Sequence, residues 1–306
     1  MIATTAKEFL DAYGDGSRFP PRRTPCLRAA LLVGPHGFAV SDESREDNRY
    51  MAADGVVDRE RAHDQHRALV AKLGELGVPV LIFSAVEGQD DGVFPNNVFA
   101  TVPGRLIVGS MRHPGRRREA ERDDIRSLFR DTFRYEVCDL SGRGFVAELT
   151  GPLVIDRPRG VGFCGLSGRA DEAGCAAMHE AFDLGLTLRF SLVEGEYHAN
   201  IVLAVLAGRF CVLHRPSFAD GEVADAIAKA YSGCTLLLSD EEKAAFAGNS
   251  IAVTERDVLF SETSRGALRP TSVRALEGAG WRIHAVQVDE LEKAGGSLRC
   301  LIAEVF

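Results

Sequence analysis

A polar residue heads an apolar run five times along this chain, at Asn97, Glu148, His198, Asn249 and Cys300, with intervals of 51, 50, 51 and 51 residues. A period this long spans a whole supersecondary unit. Such units must stack or close on one another to bury their apolar faces, which points to a propeller or another closed array. Five units closing about an axis would carry two amides, a carboxylate, an imidazole and a thiol to one end of it.

Each unit reads as two short strands, a helix and a third strand. The first pairs Val98–Val102 with Arg105–Ser110 across Pro103-Gly104, then runs a helix over 116–130 and a strand over 135–140. The second has strands at 153–156 and 161–166, a helix over 170–184 and a strand at 187–193. In the third, 201–206 and 209–214 flank Ala207-Gly208, followed by a helix over 221–230 and a strand at 234–238. The fourth places strands at 251–254 and 258–261, a helix over 271–279 and a strand at 281–288. The fifth must be split: a strand over 298–305 at one terminus, and a strand at 27–33, a helix over 59–76 and a strand at 78–83 at the other. Joining the termini closes the ring and hides edges that would otherwise template aggregation. The expected organisation is an N-terminal arm (1–25) and one domain (26–306), because no linker-like stretch interrupts the repeat. Residues 35–57 form a long polar connection, the kind that often serves as a lid.

With 45% hydrophobic and 26% charged residues, the chain has the composition of a globular protein. Its net charge of −8 gives no footprint for nucleic acid. No run of 18 apolar residues suggests a membrane span, and the acidic start of the chain lacks a secretory h-region. The seven cysteines are scattered, mostly inside apolar strands, and fit a reducing cytoplasm. No zinc spacing, His-Glu-x-x-His, Gly-x-Ser-x-Gly or phosphate loop occurs, and nothing calls for a metal or an organic cofactor.

The five recurring positions therefore carry the chemical reading. Cys300 follows Gly295-Gly296-Ser297, where the backbone can come close to a ligand and leave the thiol open. A thiol becomes a nucleophile beside a cationic partner, and His198 is the partner on offer. Glu148 sits among apolar neighbours, where a carboxylate must be paired. Asp91 and Asn97 bracket a dense polar and aromatic segment. Arg169 opens a helix, where it can clamp a carboxylate in bidentate fashion or simply cap.

Val93-Phe94-Pro95-Asn96-Asn97, Glu148–Gly151, Tyr197-His198-Ala199-Asn200, Phe246–Asn249 and Gly295–Cys300 together resemble the signature segments of the guanidino-group-modifying enzymes, or penteins. The amidinotransferase-like, citrulline-hydrolase-like branch is the nearest, related to dimethylarginine dimethylaminohydrolases and arginine deiminases. The resemblance covers about residues 26–306. It implies an α/β fold, a five-bladed propeller of ββαβ units whose termini close the ring. It also implies a cysteine-dependent hydrolase of guanidino or ureido groups, working through a covalent thioether. Cys300 is then the nucleophile, His198 the acid and base, and Glu148 the residue that binds substrate nitrogens and orients His198. Asp91, Asn97, Arg169, Asn249 and Arg117 (or Arg116) would bind a small amino-acid substrate. Where deiminases present a second carboxylate, this chain has Asn97, which favours a neutral ureido group or an arginine dihydrolase. The alternatives are an amidinotransferase and a catalytically silent amino-acid-binding ring. Relatives of this kind are often homodimers.

Overall fold

The computed structural model describes residues 1–17, 19, 23–53 and 55–306; Arg18, Pro20, Pro21 and Arg22 of the N-terminal stretch lie outside them. The chain opens with β1 (Ile2–Ala3) and a helix, Ala6–Asp15. It continues through β2 (Ala29–Val33), β3 (Val80–Phe83), β4 (Phe99–Val102), β5 (Arg105–Val108) and β6 (Glu136–Asp139). Next come β7 (Leu153–Asp156), β8 (Val161–Leu166), β9 (Leu186–Ser191), β10 (Leu203–Leu206) and β11 (Phe210–Leu213). The last strands are β12 (Thr235–Leu237), β13 (Ile251–Ala252), β14 (Asp257–Ser261), β15 (Arg282–Val286) and β16 (Ala303–Val305).

These strands build a mixed α/β fold of five small sheets: β4-β5-β6, β1-β9-β8-β7, β10-β11-β12, β13-β14-β15 and β16-β2-β3. In every sheet the first two strands of the unit pair antiparallel and the second pairs parallel with the third. A parallel pair needs a crossover, which a helix supplies each time. The crossover helices include Arg59–Glu75, Glu172–Ala181, Gly221–Ala230 and Pro270–Gly278. The split unit is real: β16 pairs antiparallel with β2, Ala303 opposite Leu31, so the two ends of the chain share a sheet. First strands of different sheets touch, β4 against β16, β7 against β10 and β10 against β13. Phe163, Phe260, Leu106, Ile107 and Leu31 are all fully buried between strands and helices. Each such side chain contributes about 1.5–3 kcal/mol.

Several boundaries differ from the sequence reading. The stretch 116–130 is not one helix but Pro114–Ala120, Asp123–Ser127 and a π-helical turn at Leu128–Thr132. The run 298–305 is not one strand either: Leu298–Leu301 is a helical turn and only Ala303–Val305 is strand, so Cys300 stands on a turn. Residues 1–15, read as part of an arm, add β1 parallel to β9 and pack Phe9 edge-on against Phe163. The helix Ala6–Asp15 starts where Thr5 accepts a bond from the Glu8 amide while Glu8 accepts one from the Thr4 amide. Thr5 thus caps the helix, and Glu8 reaches back one residue past the cap to Thr4.

Candidate active site

The five recurring residues all lie in the connection leading into the first strand of a unit, though not at one register. Asn97 and Asn249 stand two residues ahead of Phe99 and Ile251, and Cys300 three ahead of Ala303. Glu148 and His198 stand five ahead of Leu153 and Leu203. Asn97, Asn249 and Cys300 thus belong to short helical turns, Pro95–Asn97, Ala247–Asn249 and Leu298–Leu301. His198 is extended backbone just before its turn, and Glu148 directly precedes the turn at Leu149–Thr150. Leu149, next to Glu148, is held at φ 38°, a conformation a branched side chain resists and one that tends to persist where a neighbour must be aimed.

Glu148 is fully buried. Its Oε2 lies 3.0 Å from His198 Nε2, Arg169 Nη1 donates to Oε2 at 3.2 Å, and the Arg112 amide donates to Oε1 at 3.2 Å. Burial alone would raise the carboxyl, but Arg169 and His198 overcome it and hold Glu148 well below the ordinary carboxylate range. An ionised acceptor at Nε2 keeps the proton on that nitrogen. Nδ1, the other ring nitrogen, is buried with no partner among the described residues. Burial pushes His198 below its ordinary value, against the pull of Glu148. The ring sits on Gly151: a Cβ there would come within 2.6 Å of Cε1 and 2.8 Å of Nδ1.

Cys300 is buried at the other side of the same junction. Asn249 Nδ2 donates to Sγ at 3.4 Å and Asn200 Nδ2 lies 3.8 Å from it. Asn200 also donates to Thr150 O at 2.9 Å, linking the thiol's support to the residue before Gly151. Burial raises the thiol, while the Asn249 amide, the Ser297 backbone and Arg299 favour the thiolate and offset part of that rise.

The thiol, Asp91, Asn97, Arg116, Arg169 and Tyr197 line one cavity. The free space among them is about 20 Å³, room for roughly one water. Asp91 accepts from Ser44 Oγ at 2.5 Å, and burial raises its carboxyl despite Arg116 and Ser44. Asn97 presents a buried Oδ1 with no partner among the described residues. Arg116 is fixed by the carbonyls of Asp91 and Phe94 and by Glu119, at 2.6, 2.9 and 2.8 Å. Burial pushes Glu119 up to about 8.

Two expected binding residues fall elsewhere. Arg117 points away: Nε and Nη2 donate to the carbonyls of Met111 and Arg112, and the side chain lines a separate cavity with Ser141 and Phe145. On a helix, neighbours face different sides, so only Arg116 of the pair enters the site. Asn249 lies beneath the thiol, receiving the Arg299 amide and donating to Asn200 O, so it supports Cys300 and does not line the cavity. Sequence reasoning missed Ser44, Asp47 and Asn48, which reach the site from the 35–57 loop, and Asn200, whose only signal was its place after His198 in the recurring segment. Among the described residues no group of three or more His, Cys, Asp or Glu could hold a metal ion, and no helix is long and apolar enough to cross a membrane. None of the seven cysteines is paired in a disulfide.

A buried thiol on amide donors, an imidazole keyed by a carboxylate, and a polar cavity lined by arginines occur here on a mixed α/β fold of the pentein superfamily. The family model for N,N dimethylarginine dimethylhydrolase, eukaryotic, matches residues 34–306, and the chain belongs to that family. An uncharacterized Caenorhabditis elegans protein is 25% identical over 92% of this chain and 94% of its own length. The YkgA protein of Bacillus subtilis (strain 168), also uncharacterized, is 21% identical over 90% of each. The arginine dihydrolase ArgZ of the ornithine-ammonia cycle in cyanobacteria superposes with TM-score 0.79 at 19% identity, covering 90% of this chain. This chain spans 40% of that full-length protein and 97% of its N-terminal domain. A dimethylarginine dimethylaminohydrolase bearing an adduct with S-methyl-L-thiocitrulline superposes with TM-score 0.70 at 19% identity, covering 91% of this chain and 99% of that one. At such identities the structural likeness carries the fold.

Proposed function

We propose that the five sheets close as the blades of a five-bladed α/β propeller, that residues 26–306 act as one catalytic domain, and that Cys300 hydrolyses a C–N bond of an arginine- or citrulline-type amino acid. The observation that carries this reading is the thiol, held by Asn249 and Asn200, opening onto the cavity that Asp91, Asn97, Arg116 and Arg169 line. Cys300 gives its proton to His198, and the sulfur attacks the central carbon of the guanidino or ureido group. The tetrahedral adduct collapses as the C–N bond breaks. His198 protonates the departing nitrogen, and the substrate carbon stays on sulfur as a thioether. Water then loses a proton to His198 and attacks that carbon, the C–S bond breaks, and the thiol is restored. One water is consumed and one C–N bond becomes C–O. Burial disfavours the free thiolate, so a cation arriving in the cavity supplies charge that promotes its formation. Asp91 receives substrate N–H groups. Asn97, an amide where deiminases have a carboxylate, offers both a donor and an acceptor, which suits a ureido group. A cation loses about 1.5–3 kcal/mol without its charged partner.

The test is a product assay on L-arginine, L-citrulline, dimethylarginine and α-N-acylated arginines, read by ammonia or amine release and mass spectrometry. Ammonia from citrulline, or from arginine through to ornithine, is expected. Rapid arginine hydrolysis that stops at citrulline would overturn the reading of Asn97. Guanidinoacetate from arginine plus glycine would make the protein a transferase.

A further inference from the structure

Arg169 has the geometry to grip a carboxylate, and in this structure it already grips one. Its Nε donates to Asp47 Oδ2 at 3.0 Å and its Nη2 to Oδ1 at 2.5 Å. This is the fork edge of the guanidinium, the edge that suits bidentate recognition. The third nitrogen, Nη1, donates to Glu148, so the side-on edge is occupied and only single N–H groups of Nη1 and Nη2 remain. Arg112 Nε and His113 Nε2 add contacts to the same carboxylate, each at 3.3 Å. Together they hold one carboxylate beside the cavity that Arg169 shares with Cys300, and the protein supplies that carboxylate itself.

The occupant comes from the 35–57 connection. Asp47 is partly exposed and follows the short helix Asp42–Arg45. Besides Asp47, the segment meets the body through Glu43, which accepts from the Gly115 amide, Ser44, which donates to Asp91, Asn48, which donates to Gly295 O, and Arg49 and Tyr50, which bond to Glu196. Ser44 and Asn48 of the same segment line the Cys300 cavity, which holds about one water, far less than an amino acid requires.

We infer that Asp47 is an internal competitor for the substrate's α-carboxylate, and that the 41–49 segment must withdraw it from Arg169 before an amino-acid substrate can bind. Asp47 thereby sets how strongly the site discriminates between substrates with and without a carboxylate. The inference rests on the proposed function for the identity of the ligand, but not for the geometry of the subsite. When the competent state is a minor one, apparent affinity falls by its population. A withdrawn state populated at about a tenth would cost a carboxylate ligand about tenfold.

Alkylation of Cys300 tests this without any assumption about substrate. Iodoacetate carries a carboxylate and iodoacetamide does not, and the rate is read on the Cys300 peptide by mass spectrometry. Asp47→Asn should raise the iodoacetate rate about tenfold more than the iodoacetamide rate, and Asp47→Ala should do the same. Equal acceleration of both reagents would mean the loop was merely loosened. That result, no acceleration, or no labelling of Cys300 in the variants would overturn the inference. In turnover, Asp47→Asn should lower KM for L-arginine or L-citrulline and not for agmatine, which lacks the carboxylate. A rise in KM for the amino acids would show that Asp47 binds substrate instead. Wild-type protein that turns over none of the panel would defeat the proposed function and leave the alkylation result to stand on its own.

Discussion

Glu148 touches a guanidinium and an imidazole with no water between them. Its negative charge does two things to His198: it fixes the Nε2 proton and it supports the imidazolium. Removing the charge while keeping the shape separates these from packing. In Glu148→Gln the carboxylate that raises His198 is lost and burial, which lowers it, remains. The limb of the pH profile of kcat/KM set by His198 should therefore move to lower pH. The maximal rate should fall by about 100-fold, the low end of general acid–base contributions. A loss of rate with an unmoved limb would assign Glu148 to substrate binding alone. At this scale Cys300, His198, Glu148 and Asn97 stood out as candidates, because a polar residue kept in phase with buried strands needs a reason to be there; Cys300, Asp91, Asn97 and Arg169 line one cavity, and Glu148 bonds to Arg169 and His198 without lining it. The sequence could not separate Arg116 from Arg117, since neighbours stand about 100° apart and the helix starts at Pro114, not where the pattern placed it. Nor could it find Asp47, whose partner lies 122 residues away.

At the scale of elements, the site is made by short turns packed against one another. Gly151 shows what this demands. It leads from the turn after Glu148 into β7, and the His198 ring lies where its side chain would be. A methyl group at 2.6 Å from the ring carbon exceeds what packing tolerates, and a fully buried ring bonded to Glu148 has little room to move. Gly151→Ala should leave the secondary structure unchanged by circular dichroism yet lower kcat by 100-fold or more, as misplaced catalytic groups do. Full activity would mean that His198 works from some other position. Strands and crossover helices were legible because their apolar patterns are local, and Gly221–Ala230 falls where expected. The C-terminal turn under Cys300 was not, because Leu298-Arg299-Cys300-Leu301 is as apolar as a strand and only its contacts, the Asn249 amide above all, make it turn.

Over the whole molecule, the join between the two ends of the chain is also an ionic knot. Glu304 on β16 lies between Arg157, at 3.1 Å, and Arg299, at 3.0 Å, and Arg157 reaches on to the Thr101 carbonyl of β4. Three units meet there. Burial opposes the charge on Glu304, but Arg299 and Arg157 hold its carboxyl below the usual 4.5. The sign follows directly: this contribution is full above pH 4.5 and is lost as pH falls through the depressed folded value. Glu304→Gln takes the charged partner from buried Arg157 and half-buried Arg299 and should cost about 3 kcal/mol in urea unfolding at pH 7. The difference from wild type should shrink as the pH is lowered below 4.5. A variant within about 0.5 kcal/mol of wild type would remove the knot from the account of stability.

The central claim is that the residue-300 sulfur forms a bond to substrate carbon, and rapid-quench mass spectrometry tests it most directly. Protein mixed with L-arginine or L-citrulline should show, within the first turnover, a mass increase confined to the Cys300 peptide that decays as product forms, and Cys300→Ala should show neither adduct nor product. Product formed at the wild-type rate by Cys300→Ala, or an adduct found on a different side chain, would contradict the account.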